Sequence, residues 1–350
     1  MKICILGDTH IGARGDSPHF HKLFSQFYSE ILFPYLKDNN ISTIFQLGDL
    51  FDRRKYINFQ TLHSAKKYFF NPLSEFEFFT LLGNHDISYK NTLEVNSSQL
   101  LLSNYKNIKI YDKPTTLNFD GTDIDVIPWI CKENENEILE FISNSKSKYC
   151  FGHFELAGYE MDKGNVSFDG MDKDFLSHYD MVLSGHFHHK SSDGRIFYVG
   201  TPTELTWADY GDERGFHILD TKTGEMEFIQ NPHRMFYKII FDGKNENIES
   251  VTNRDFSAYS DKIVKVIVEN KDNDYLFELF FDCLYKVMPL DISIIENAVD
   301  YNQLSDNDMI DQAEDTITIL NKYIDSINSD IDAMRLKNLI HEIYVEAQSE

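Results

Sequence analysis

Five short segments constrain this 350-residue chain more than any other feature: Asp8-Thr9-His10, Gly48-Asp49-Leu50-Phe51-Asp52, Gly83-Asn84-His85-Asp86, Gly152-His153 and Gly185-His186-Phe187-His188. Each carries imidazole, carboxylate or amide side chains, and each comes at the end of a short apolar run, at 2–6, 43–47, 76–82, 148–152 and 181–184. Between the first three runs lie amphipathic segments at about 17–38 and 58–71. Strand, helix, strand, helix predicts an α/β sheet, and the carboxyl ends of such strands are where functional groups collect. Further on, 113–130 reads as two short strands around Asp120-Gly121, and a helix is expected near 134–145. Strand-like runs recur at 148–152, 181–184, 196–199, 215–219 and 225–229. Loops and turns join them, so this half is expected to be richer in antiparallel pairing.

Residues two apart on an extended backbone point the same way, so Asp8 with His10, and His186 with His188, can each present a pair to one site. A glycine beside each segment permits tight turns and close approach to an ion or phosphate. The donors these segments offer are three imidazoles or more, two or more carboxylates and an amide oxygen. Mixed nitrogen and oxygen donors suit manganese, iron or zinc better than calcium or magnesium, and the absence of cysteine argues against a structural zinc site. Seven ligands are too many for one tetrahedral ion and suit two ions sharing a carboxylate. Taken singly, each segment could be a turn, a cap or a chance cluster; five in this order, each after a strand, are not an accident.

These segments form the ordered signature of the calcineurin-like metallophosphoesterases, which residues 1–230 resemble. Within that superfamily the chain is similar to the SbcD family, the nuclease subunits of SbcC–SbcD DNA-processing complexes. The second segment reads GDLFDRR, and Tyr198-Val199-Gly200-Thr201-Pro202 follows GHFHH. The resemblance implies an α/β fold: a β-sandwich flanked by helices over 1–232, a small α+β capping domain over 233–304 and a helical tail over 305–350. It implies two divalent ions, manganese above others. Asp8, His10, Asp49 and His188 would hold one; Asp49, Asn84, His153 and His186 would hold the other. His85 would face the scissile phosphate, with Asp86 orienting it by a hydrogen bond, and a histidine near its usual pKa can donate a proton at neutral pH. Asp52 stands where some relatives carry histidine. Arg53 and Arg54 could contact substrate phosphate, or could be solvated charges opening a helix. His189 points away from His188 and is left out.

Charge complicates a DNA-cleaving reading. Lys+Arg 33 against Asp+Glu 57 gives a formal net charge of -24, which repels phosphates unless a partner compensates. In the tail, Ile310, Ala313, Ile317, Leu320, Ile324, Ile327, Ile331 and Met334 recur at alternating steps of three and four, a heptad seam. Such a seam could pack on its own domain or form a homodimer. The resemblance favours docking onto an SbcC-like coiled-coil ATPase, with a homodimer through the nuclease domain. The expected protein is therefore a manganese-dependent endo- and exonuclease subunit, in a short, phage-like version. The rivals are a phosphomonoesterase or cyclic-nucleotide phosphodiesterase of the same fold, and a non-catalytic interaction module. Four scattered cysteines, no long apolar run and no signal peptide point to a cytoplasmic protein without a membrane segment.

Overall fold

Apolar runs too continuous to leave one face in water become strands buried on both sides. In the computed structural model, which describes residues 1–162 and 164–296, the strand Lys2–Leu6 sends Ile3 and Ile5 to one face and Cys4 and Leu6 to the other, all fully buried. It runs parallel to Thr43–Gln46, which is followed across the sheet by Glu77–Leu81 and Ile108–Tyr111, also parallel. The expected amphipathic segments form the crossovers. One is Pro18–Gln26, continued through Phe27–Leu32 to Phe33–Asp38; the other is Phe59–Ala65, continued through Lys66–Phe70. Their apolar side chains, among them Phe20, Phe24, Phe27 and Phe69, pack on Cys4, Leu6, Ile44 and Phe78.

The hairpin expected at Asp120-Gly121 joins Thr115–Phe119 to Thr122–Ile127. Both turn residues have positive φ, 53° and 88°, which a two-residue turn matched to strand twist requires. From there the pairing departs from expectation. Thr122–Ile127, Tyr149–His153, Met181–Gly185 and Ile196–Tyr198 are successive parallel neighbours. A parallel link needs length rather than helix. The helix Glu135–Asn144 makes the first crossover, and the stretch 154–180, largely loop, makes the second. Within the two large sheets, antiparallel pairing is found at the rims of the second and in Gly215–Asp220 with Met226–Gln230, which return to the first sheet beside Lys2–Leu6; Glu160–Asp162 with Asn165–Val166 forms a separate antiparallel hairpin.

Two six-stranded sheets result. Ile3, Ile5, Phe45 and Phe79 of the first meet Phe119, Ile124, Phe151 and Leu183 of the second in one buried cluster, the interior of a β-sandwich. Ile138 and Ile142 of Glu135–Asn144 cover the outer face of the second sheet against Val182 and Ile196. All five segments singled out by sequence thus stand at the carboxyl ends of parallel strands.

The chain divides into two units. Among the described residues the first comprises 1–238, 254–264 and 282–292, and the second comprises 239–253, 265–281 and 293–296. The strands expected near 236–241, 262–268 and 292–295 are present as Phe236–Asp242, Ile263–Asn270 and Asp291–Ile295, in a three-stranded sheet in that order. The helix expected at 274–287 is Asp274–Lys286. In the second unit Phe241 meets Phe277 and Phe280 at ring separations of 5.4 and 5.2 Å. The expected tail at 305–350 lies outside the described residues.

Candidate metal centre

Five parallel strands supply the side chains. Asp8 and His10 follow Lys2–Leu6, Asp49 follows Thr43–Gln46, and Asn84 and His85 follow Glu77–Leu81. His153 ends Tyr149–His153, and His186 and His188 follow Met181–Gly185. The turns are strained: His10, Asp49 and His186 have φ of 41°, 52° and 91°. Non-glycine residues held in such conformations cost of order 1–3 kcal/mol each and persist where the surroundings enforce them. Gly83 serves close approach instead, since a Cβ there would lie 2.2 Å from Asp49 Oδ1.

The seven expected ligands come together in two groups. Asp8, His10 and His188 form one, and Asp49, His153 and His186 the other, with the donor atoms of each group within 4.8 Å of one another. His10 Nε2 lies 3.0 Å from His188 Nε2. Asn84 Oδ1 joins the second group, 2.9 Å from His153 Nε2 and 3.0 Å from His186 Nδ1. Asp49 stands between the groups: its Oδ2 is 3.9 Å from His10 Nε2 and 3.4 Å from His153 Nε2. Its Oδ1 accepts the backbone N–H of His85 at 2.7 Å.

A cation fits this donor set better than hydrogen bonding does. The amide oxygen of Asn84 faces His153 Nε2, His186 Nδ1 and, at 3.3 Å, Asp49 Oδ2, while its NH2 faces the Arg54 guanidinium at 3.3 Å. Hydrogen bonding alone would turn that amide round. Burial opposes charge on His10 and His153, yet the carboxylates of Asp52, Asp49 and Asp8 raise His10 to about 9, and Asp49 and Asp8 raise His153 to about 9. Burial lowers His186 to about 3 and raises Asp8 to about 7. Asp49 is buried too, but His153, His85 and His10 hold it well below the carboxylate range. Protons and cations therefore compete for the same lone pairs.

The surrounding contacts fix the ligands. His153 Nδ1–H donates to the Leu47 carbonyl at 2.7 Å, which leaves Nε2 for the centre. The Asp8 carboxylate accepts the His186 backbone N–H at 2.9 Å. Asp86 does not do what was expected of it. Its carboxylate accepts backbone N–H groups of Asp49, Gly83, Leu50 and Phe51 at 2.8, 2.9, 3.0 and 3.4 Å, so it ties two ligand loops together instead of orienting His85. His85 is oriented by the Asp52 carbonyl, 2.6 Å from its Nδ1. Burial also lowers the His85 pKa below its usual value instead of leaving it there. His10, Asp52 and His85 also bring donor atoms within 4.8 Å of one another, but the Asp52 carbonyl already engages His85 Nδ1, and Asp52 Oδ1 lies 3.4 Å from His10 Nδ1, on the far side of the ring from His188. Of the two arginines, Arg54 reaches Asn84, whereas Arg53 pairs with Asp16 at 3.5 Å and with the Tyr56 hydroxyl. His189 turns away to Asp212 and Glu160, at 2.6 and 3.2 Å.

Residues 1–190 match the family described as calcineurin-like phosphoesterase. The chain belongs to that family. This phosphoesterase is 37% identical over 352 residues to a protein of Enterobacteria phage T4 named exonuclease subunit 1, with 99% of each chain covered. Among solved structures it is similar to an archaeal phosphodiesterase, at 15% identity, TM-score 0.34, and coverage of 66% of this chain and 100% of that one. A second likeness is to GAP50, described as the anchor in the inner membrane complex of Plasmodium, at 16% identity, TM-score 0.38, and coverage of 67% and 90%.

Sequence reasoning missed two supports of the phosphoesterase centre. Trp129 packs against His186, tilted, and His153, edge-on, at ring separations of 5.2 and 5.8 Å, reached from the end of Thr122–Ile127. Arg214, almost fully buried, donates to the His188 carbonyl and to Thr201 Oγ1, and pairs with Asp209 and Asp212 at 2.8 and 2.9 Å. Thr201 belongs to the Gly200-Thr201-Pro202 segment, and its N–H donates to the same His188 carbonyl at 3.1 Å. That segment was a signal; nothing local marked the arginine.

Proposed function

We propose that this phosphoesterase is the nuclease subunit of an SbcC–SbcD-like complex and hydrolyses DNA phosphodiester bonds with two divalent ions, manganese first among them. The carrying observation is Asp49 Oδ2, poised between His10 of one donor group and His153 of the other. The full-length likeness to a phage exonuclease subunit supports a DNA substrate and a partner subunit. Asp8, His10, Asp49 and His188 would hold one ion, and Asp49, Asn84, His153 and His186 the second. Such a pair lowers the pKa of a bound water and neutralises charge on the phosphate. The remaining roles fall to the protein. His85 lies edge-on to His10, with ring centroids 4.9 Å apart, and with Nδ1 committed to the Asp52 carbonyl it offers Nε2 to the leaving oxygen. Arg54, beside Asn84, meets the phosphate, and Asp86 keeps two ligand loops in register.

Residues 233–304 act as a capping domain in this reading, and 305–350 bind the coiled-coil ATPase. The working unit is a cytoplasmic homodimer. Among the described residues no helix is long and apolar enough to cross a membrane. The test is Asp49→Ala. It should lose bound manganese by elemental analysis and cease to cleave a labelled oligonucleotide, with a chromogenic monoester assayed in parallel. A variant that keeps two ions and near-normal turnover refutes the shared-carboxylate centre; faster turnover of the monoester than of the oligonucleotide by the native protein refutes the nuclease.

A further inference from the structure

In a chain of formal net charge -24, no Asp or Glu occurs between Asp52 and Glu75, while Arg53, Arg54, Lys55, Lys66 and Lys67 do. This acid-free stretch leaves the metal centre directly, since the Asp52 carbonyl holds His85 and Arg54 meets Asn84. Its aromatic residues are divided. Tyr68, Phe69 and Phe70 are buried in the core, whereas Tyr56 is 62% exposed and Phe59 is 88% exposed. Exposed with Phe59 on its helix are Gln60, His63, Lys66 and Lys67, and 59, 63, 66 and 67 fall on one helical face.

The loop is built rather than loose. Asp16, bonded by Thr61 Oγ1 at 2.6 Å, pairs with Arg53, and the Arg53 guanidinium lies over the Tyr56 ring at 4.9 Å. Thr61 in turn is 3.0 Å from His21 Nε2 inside the helical layer. Single exposed apolar residues are ordinary. Two aromatic rings flanked by Lys55 on one side and Lys66 and Lys67 on the other, and continuous with the proposed phosphodiester-cleaving centre, have the composition of a single-strand platform, in which bases stack on rings and phosphates follow the cations.

Building on the nuclease reading, we infer that Tyr56 and Phe59 stack the unpaired bases next to the scissile phosphate, and that Lys55, Lys66 and Lys67 carry the adjoining backbone along the helix face. The favoured substrate is then a single strand or a frayed end rather than closed duplex.

Phe59→Ala and Tyr56→Ala in the full-length chain test this. Both rings are exposed, and Phe59→Ala is the cleaner variant, since Tyr56 also engages Arg53 through its hydroxyl and ring face; circular dichroism checks that both variants stay folded. Each variant should lose roughly 5- to 100-fold in kcat/KM on a short single-stranded oligonucleotide, the range stacking contributes per base, with the loss mainly in KM. Hydrolysis of bis(4-nitrophenyl) phosphate, a diester without bases, should stay within about twofold. Phe59→Trp should restore the oligonucleotide activity, and a 2-aminopurine placed beside the cleavage site should be quenched by the native protein and less so by Phe59→Ala. Equal oligonucleotide kinetics for the native and Ala proteins would overturn the platform while leaving the nuclease reading intact. So would normal kinetics with loss of a protein partner, which would make Phe59 a protein contact. Hydrolysis of the small diester without any oligonucleotide cleavage would instead overturn the nuclease reading.

Discussion

At the residue scale, the proposed role of His85 is to act on the phosphate without holding metal. Its backbone N–H is bonded to Asp49 Oδ1 and its Nδ1 lies 2.6 Å from the Asp52 carbonyl, which fixes the ring and leaves Nε2 for the proposed proton transfer. His85→Ala should keep both ions and oligonucleotide binding and lose about 10²–10⁴-fold in turnover, the usual worth of a positioned acid or base. Elemental analysis and single-turnover kinetics on one preparation check it; loss of metal would make His85 a ligand, and normal turnover would remove it from the chemistry. Acid should act on the neighbouring residues. His10 and His153 are raised to about 9 by the carboxylates around them, so at neutral pH each ion must displace protons. Metal affinity should therefore rise as pH increases from 6.5 toward 9, with proton release on binding, which calorimetry in buffers of different ionisation enthalpy measures. An affinity flat across that window would show that the pair is neutral before metal enters.

At the scale of elements, the centre depends on loops at the ends of Thr43–Gln46 and Glu77–Leu81 staying in register, and Asp86 is the clamp. Its two oxygens accept four backbone N–H groups from the segments 49–51 and 83. Asp86→Asn turns an NH2 group toward some of those donors. Bonds to a charged acceptor are worth about 1.5–3 kcal/mol, and leaving a buried donor unpaired costs about 1–3 kcal/mol. A loss of about 2–3 kcal/mol in the unfolding free energy of the metal-free chain is expected, together with weaker manganese binding, because the loops it holds carry Asp49 and Asn84. Urea unfolding and metal titration read the two effects. Unchanged values in both would reduce Asp86 to a spectator.

For the whole molecule, the acidic balance must be reconciled with a nucleic-acid substrate. The sandwich gathers five strand ends at one edge, and the cations of 53–67 adjoin it, which serves local contact. Long duplex capture requires more positive charge than this chain carries, and in the proposed complex the ATPase supplies it through 305–350. Replacing Ile324 and Ile327 together by Asp sets two carboxylates in the heptad seam, and burying them unpaired costs several kcal/mol. The variant should fail to co-elute with the ATPase and fail on long duplex, yet keep its activity on short oligonucleotides. Co-elution of the double variant would place the docking surface elsewhere, and an unfolded nuclease domain would make the segment part of the chain's own core.

What the sequence determined alone was whatever is local: the apolar runs, the Asp120-Gly121 turn, the helices at 18–38 and 59–70, and ligand chemistry at the strand ends. Those signals are written in residue type and spacing, so the five donor segments could be singled out before any fold was known, and the family resemblance they carry implied Asp8, His10, Asp49, Asn84, His153, His186 and His188 as ligands. Partnerships across space were not legible. Strand direction in the second sheet turned on where the stretch 154–180 crosses, and no local pattern records a crossover that has no α-helix among its described residues. Asp86 follows His85 in the chain, yet the fold sets its carboxylate against the amides of Asp49, Leu50 and Phe51. Buried donors take whichever acceptor packing brings within reach, and for the same reason Arg214 and Trp129 became supports of the centre only once tertiary structure had carried them there.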